Sequence, residues 1–444
     1  MKKVFILQIV LMMFSFSACA NPKNLDTETV KDITVYYING YPQLERAIES
    51  FEKKYTNVNV NAVCFDNADE LKNKMTVSKN DADVYLFSPD YIDLNKMIMT
   101  GAFEPLEKYF DSDPDFNENN YYAAVLDSGK YEGERYIAPI GISICNFYIT
   151  ENKILENKIN IKDSMSYTEI FNLINVNDYR DEKTLKFNIL PISKKPINVD
   201  KLLDYSGLEL IDLENKTINI NNEKFKNIVD YGKLIKNNYQ RYKEIVNKFT
   251  DPIDMWKECN FLLTDTLIPF LPTAVDAIYE AAYYDKQSFK MFTLPTYDDK
   301  NGYCARINLC GCINVDSDEK EYSYELLKIA MNSSGTEADD DSNVKMYAYA
   351  SVNRNVNEAL IAETVKNTYN YTNRGSTKIW FEPLNLDEKK YIEGVYNNID
   401  KAVIPNVYIN KIIEEYAEKY YEGEIDYDTF LNELENKLTI YINE

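Results

Sequence analysis

Ile33-Thr34-Val35-Tyr36-Tyr37-Ile38, running into Asn39-Gly40-Tyr41-Pro42, opens the pattern that decides the fold. The first six residues are β-branched or aromatic and predict a strand. Asn-Gly and Pro then turn the chain into a helix reaching Tyr55, with Leu44, Ala47, Ile48 and Phe51 on one face. Val58 to Phe65 reads as a second strand, Ala68 to Thr76 as a helix and Ala82 to Phe87 as a third strand. The helix after it stops at Gly101, where a left-handed cap suits glycine. Strand, helix, strand, helix, strand implies a parallel sheet with right-handed crossovers.

Beyond this unit a hairpin is expected over Lys130 to Ile137, turning at Glu132-Gly133-Glu134, with Ile142 to Ile149 extended. From about Thr150 the texture changes to helices, Tyr167 to Ile174 and Asn222 to Phe249; the longer one carries Phe225, Ile228, Val229, Leu234 and Ile235 at helical spacing. Strands resume at Phe289 to Leu294 and Tyr303 to Val315, a helix follows at Lys320 to Met331, and the remaining third reads as mostly helical. Sheet texture returning after a helical insertion means that the chain leaves one lobe and comes back to it. The expected fold class is α/β with two lobes, each a mostly parallel sheet flanked by helices, and a cleft and hinge between them. The expected division is 32–148 plus 290–345 for the first lobe and 149–289 plus 346–444 for the second.

The N-terminus reads as an export signal. Lys2 and Lys3 precede an apolar stretch, Val4 to Phe16, and Ser17-Ala18 lead to Cys19. That stretch is too short and wrongly flanked for a transmembrane helix. Residues 1–18 are expected to be removed, Cys19 to carry the lipid, and 19–31 to tether the domain outside the cytoplasmic membrane. The other reading is a plain secretory signal with an incidental cysteine.

Composition removes several classes of function. The formal charge of −23, near −25 once Lys2 and Lys3 are lost, argues against nucleic acid and against flat adhesion to anionic lipid. Histidine is absent, which eliminates Ser-His-Asp and Cys-His nucleophiles and His-ligated zinc. Carboxylate-only glycoside hydrolysis survives, but sequence spacing does not show the separation of two carboxyls. Cys64, Cys145, Cys259, Cys304, Cys310 and Cys312 all lie in apolar runs, and buried free thiols are expected in preference to disulfides.

Five segments in order carry a family resemblance: Ala82-Asp83-Val84-Tyr85 with Gly101-Ala102-Phe103-Glu104-Pro105-Leu106; Gly133-Glu134-Arg135-Tyr136-Ile137-Ala138-Pro139-Ile140 leading to Phe147-Tyr148; Tyr167-Thr168-Glu169-Ile170; Gly311-Cys312-Ile313-Asn314-Val315 with Tyr324 to Ile329; and Leu431 to Glu444. Together they resemble the extracellular solute-binding proteins of ABC importers, in the group that includes maltose-binding and other sugar-binding proteins. The family's Trp is missing at Tyr167, its Tyr-Asn is replaced by Ile149-Thr150, and Glu258-Cys259 stands where Gly is common. The resemblance implies a periplasmic-binding-protein-like fold of type II, no catalysis and no cofactor or metal. It also implies a monomer that hands a small solute, a sugar or oligosaccharide, to permease subunits. A binding lipoprotein serving as a sensor or interaction partner is the alternative reading, and an exported carboxylate-only glycosidase a further one.

A site for such a solute needs hydrogen-bonding groups at strand ends and flat aromatic faces. Asn39 and Tyr41 leave the first strand and Ser88 and Asp90 the third; turn formation competes for Asn39, and helix capping for Ser88 and Asp90. Ser143 lies near the expected crossing between lobes. Thr264 and Asp265 stand where the family brings a strand end from the second lobe. Arg306, a charge in an apolar strand, either snorkels to solvent, the favoured reading, or pairs with an acidic ligand group. Trp380 is the stacking candidate, whereas Trp256 fits an amphipathic core pattern.

Overall fold

In the computed structural model the described residues are 29–76, 82–156, 158–162, 165–174, 186–191, 197–248, 260–266, 289–299, 301–333, 349–366, 370–374, 377–381 and 385–443. Lys31–Ile38 (β1) leads to Pro42–Lys54 (α1), which buries Leu44, Ala47, Ile48 and Phe51. Val58–Phe65 (β2), Ala68–Thr76 (α2), Val84–Phe87 (β3) and Leu94–Met99 (α3) follow. β1 pairs in parallel with β2 on one side and β3 on the other, as the alternation requires. Gly101 ends the α3 turn at φ 70°, and the hairpin of Lys130–Tyr131 with Glu134–Arg135 turns through Glu132 and Gly133 at φ 49° and 81°. Two successive positive φ angles match the twist of a tight hairpin.

Ala138–Ser143 (β4) continues almost directly into Asn146–Thr150 (β5), and Lys186–Pro191 (β6), Val199–Ser206 (α4), Glu223–Val246 (α5), Asn260–Thr266 (β7) and Phe289–Thr293 (β8) build a second unit. The chain then returns through Tyr303–Ile313 (β9), Lys320–Met331 (α6), Ala350–Ser351 (β10) and Ile399–Val403 (β11) before Val407–Glu422 (α7) and Tyr427–Asn443 (α8). The larger sheet has the order β10-β4-β9-β3-β1-β2, with β11 also on β9; the smaller has the order β8-β5-β7-β6. β9 runs antiparallel to β3 and β4, β5 antiparallel to β7 and β8, and only β6 and β7 are parallel in the smaller sheet. Both sheets are therefore mixed, a correction to the mostly parallel arrangement expected. Helical crossovers keep β1 to β3 parallel, while β9 enters from the other sheet and meets them head to tail.

Each sheet has its own apolar core. The first gathers Ile33, Phe51, Phe87, Phe103, Ile307 and Leu327, the second Phe147, Phe171, Phe225, Ile413, Phe430 and Leu434. The chain passes between them from Ile144 to Cys145, again between Thr293 and Tyr303, and a third time after β11. The first two passages touch where the Leu294 N–H donates to the Cys145 carbonyl at 2.8 Å. Ala350, Val352, Leu360, Ile392, Val395 and Tyr396 pack in the first core, so the chain after 346 does not pass straight to the second lobe as expected. The hairpin of Asn370–Arg374 with Thr377–Phe381, and β11, are strands inside the stretch read as helical.

Among the described residues Cys145, Cys304, Cys310 and Cys312 are buried free thiols. Cys64 is free but exposed, contrary to expectation, because β2 is the edge of its sheet. Cys19 and Cys259 lie outside the described residues. No helix among the described residues is long and apolar enough to cross a membrane.

Gly311 fixes how closely α6 approaches the larger sheet: a Cβ there would sit 2.4 Å from Leu327 Cδ2 and 2.9 Å from Leu86 Cδ2. Gly311→Ala is expected to cost about 1–3 kcal/mol through overpacking, read as a lower urea midpoint with unchanged slope.

Candidate functional site

The carboxyl ends of β1, β2 and β3 open at one edge of their sheet, the place where α/β sheets bind ligands. A cavity of about 950 Å³ opens beside this edge and runs along α2 and α3 to Gly101 and Asn314 at the amino end of β3, a size that holds a small molecule. The first lobe contributes Asp69 and Lys72 of α2, the turn Asp90 to Asp93, and Lys96 of α3; the second contributes Val407, Tyr408 and Lys411 of α7 and Tyr441 of α8. Tyr91 from the first lobe and Tyr408 from the second both line it, 37% and 43% exposed. The Tyr408 ring stacks on Tyr441 with centroids 5.0 Å apart, which fixes the plane of the ring. Asp93 ties the walls together. Its carboxylate caps α3 through the Lys96 N–H at 3.3 Å and accepts from the Tyr441 hydroxyl at 2.8 Å and Asn406 Nδ2 at 3.3 Å.

Behind this cavity lies Arg306. In β9 it pairs with Ser143 of β4 and Val403 of β11, the residues that end those strands just before the chain passes to the second lobe. Its side chain is 2% exposed. Nη1 donates to Asp90 Oδ2 at 3.1 Å and Nη2 to the other oxygen of the same carboxylate, while Nε donates to Asp204 Oδ2 at 2.9 Å. Asp90 belongs to the turn after β3, and Asp204 to α4, whose Leu202, Leu203 and Tyr205 lie in the second core. One guanidinium therefore holds a carboxylate from each lobe. Beside it Ser143 Oγ donates to Asn308 Oδ1 at 2.5 Å and lies 2.9 Å from the Tyr205 hydroxyl.

Burial pushes the Asp204 carboxyl up to about 6 against the pull of Arg306, and Asp200 one turn earlier and Asp90 add to the rise. Glu414 on α7 rises to about 7, from burial and then from Asp200. Burial disfavours the Arg306 charge too, yet Asp204 and Asp90 outweigh it and hold the guanidinium further above its usual value.

Several of the residues expected at the site come together here. Asp90 lines the cavity and binds Arg306. The Tyr41 hydroxyl lies 3.3 Å from that of Tyr91, and its ring 6.0 Å from Tyr349. Ser88 is buried as the cap of the turn that carries Asp90, accepting the Asp90 N–H at 3.4 Å. Asn39 is a turn residue: Oδ1 accepts the Gly40 N–H and Nδ2 donates to Asp66, both at 2.6 Å. Arg306 does not snorkel to solvent, because two carboxylates of the protein meet it inside. Thr264 and Asp265 sit on β7 opposite Tyr148 and Phe147, and Trp380 opposite Tyr371; these three side chains, and Cys19, lie outside the described residues. Sequence reading missed Tyr91, Tyr408, Lys411 and Asp204. Tyr408 and Lys411, one turn apart at the start of α7, carried the only pattern that marks them. Among the described residues no cluster of three or more metal-ligating side chains exists.

No family profile matches the chain, and no curated protein does. Solved structures do. A substrate-binding protein of an ABC transporter from Listeria monocytogenes, in complex with cycloalternan, shares 13% identity and a TM-score of 0.58 over 93% of this chain and 99% of its own. The sugar-binding protein MalE of Xanthomonas citri gives 12% and 0.61 over 93% and 97%. A solute-binding protein of Agrobacterium vitis with bound D-mannitol gives 13% and 0.56 over 93% and 98%. At these identities the likeness is one of fold, and the fold is that of the two-lobed periplasmic binding proteins.

Arg306→Gln leaves Asp204 buried without its partner and is expected to cost about 3–5 kcal/mol at pH 7.5. A carboxyl whose folded pKa is raised takes up its proton first in the folded state, so lowering the pH favours folding. The loss should therefore shrink at pH 5; urea unfolding of both proteins at the two pH values checks this, and an equal loss at both would show that the Asp204 charge is not its source.

Proposed function

We propose that this chain is an extracytoplasmic receptor, anchored through lipid on Cys19, that captures a carbohydrate between its lobes and delivers it to the permease subunits of an ABC importer. The observation that carries the reading is the cavity beside β3, walled by tyrosine rings from both lobes and by the polar groups of Asp90, Asp93, Lys72 and Lys411. Flat rings with adjacent hydrogen-bonding groups suit a molecule that has apolar faces and a polar rim, as sugars do. The bound cycloalternan and D-mannitol of two neighbours of the same fold support the same class. The role is binding without catalysis, in a monomer at the outer face of the cell membrane.

A thermal-shift screen against mono- and oligosaccharides, short peptides and polyamines tests this, using the chain from Ala20 onward, which contains every described residue. A sugar at a hundred times its Kd should stabilise the protein by about 2.7 kcal/mol, a shift of several degrees. Tyr408→Ala should weaken the same sugar about tenfold, the scale of a truncated aromatic anchor. Stabilisation by peptides or polyamines alone would overturn the carbohydrate reading.

A further inference from the structure

We infer that Arg306 is a positioning residue for ligand capture: it orients the Asp90 carboxylate at the cavity wall and, through Asp204, ties that carboxylate to the second lobe. The inference rests on reading the cavity as the ligand site.

Three observations carry it. First, the guanidinium is 2% exposed while the Asp90 side chain it holds is 37% exposed and lines the cavity, so an incoming molecule meets Asp90 and not Arg306. Both Asp90 oxygens are gripped from behind by Nη1 and Nη2, which sets the plane of the carboxylate and the direction of its remaining lone pairs. Second, the remaining arm, Nε, reaches Asp204, which is 8% exposed and does not line the cavity. Its position follows the second core through α4. Third, Arg306 pairs with Ser143 and Val403 at the level where the strands leave for the second lobe, so the link lies close to any hinge axis. A guanidinium is a rigid planar fork that stays protonated, and it follows a shift of one partner only by turning against the other. A rotation between lobes moves Asp204 relative to Asp90 and must lengthen one arm or reorient both. Ligand hydroxyls on Asp90 and the angle between lobes are thereby linked, and the linkage is reciprocal.

Asp204→Asn separates this role from simple contact, because Asp204 does not touch the cavity and asparagine keeps its shape. Arg306→Lys keeps the charge and removes the fork. Two readouts are needed: the radius of gyration of the unliganded chain by small-angle X-ray scattering, and maltotriose affinity by titration calorimetry. Both variants are expected to melt cooperatively, to show a larger radius of gyration than wild type without sugar, and to bind maltotriose about tenfold more weakly, within the usual range of coupling between sites. In a double-mutant cycle the Asp90→Asn and Asp204→Asn effects on affinity should be non-additive, since both act through one guanidinium. Wild-type radius and affinity in Asp204→Asn would overturn the inference, as would a change in only one of the two. Should the wild type fail to bind maltotriose or any other sugar, the carbohydrate reading falls, while the scattering comparison still decides whether Arg306 links the lobes.

Discussion

A buried guanidinium holding one carboxylate from each lobe is the contact on which the arrangement of this molecule depends. Arg306 is out of reach of water, and so is Asp204, so each charge relies on the other in a medium that screens them weakly. Geometry makes the cost tolerable: three donors meet two carboxylates, and the neighbouring Ser143, Asn308 and Tyr205 satisfy one another. An aliphatic residue at 306 would fill the strand more cheaply but would leave the carboxylates of two lobes facing each other without a cation between them. The choice of arginine thus sets the relative position of the lobes rather than adding to the stability of either.

That contact sits between two lobes, each with its own apolar core. Within the first lobe, α6 is fastened by a closed network in which Lys328 donates to Asp113 at 2.6 Å and Glu325 at 2.8 Å, Tyr55 donates to Glu325 at 2.5 Å, and Tyr324 donates to Asp113 at 2.9 Å. Burial raises the Asp113 carboxyl, but Lys328 and its other donors win and hold it below its usual value. The second lobe is closed by rings, Phe147 against Phe171 and Phe225 stacked on Phe430. Between the lobes the described contacts include hydrogen bonds, Asp93 with Tyr441 and Asn406, and Arg306 with its two aspartates. Interfaces of that kind are the ones about which domains move.

How much of this was legible in the sequence depended on whether the determinant was local. Val58–Phe65, Ala68–Thr76, Tyr167–Ile174 and Lys320–Met331 form over the residues read from periodicity, because strand alternation, helix period and end signals are properties of short windows. Which core a helix joins is not local: the apolar stripe of Leu386–Asn397 reads the same whichever lobe receives it, and it went to the first. Strand direction failed likewise, since β9 is antiparallel only because the chain arrives from the other sheet. In the candidate site Asp90 was legible as a strand exit, whereas Asp204 was not, because nothing within α4 signals that an arginine a hundred residues away in the chain will come to lie beside it.

The same reasoning explains why Arg306 was misread. A lone charge in an apolar strand has two outcomes, a stem lying along apolar surface with its head in water, or a buried head met by counter-charges. Side chains leave a strand through the sheet faces, and at Arg306 the turn after β3 and helix α4 cover that face. Once that face is covered, only the second outcome is open, and the counter-charges come from the elements that cover it. The turn after β3 supplies Asp90 and α4 supplies Asp204, so a single buried arginine on one strand draws an acidic residue from each lobe.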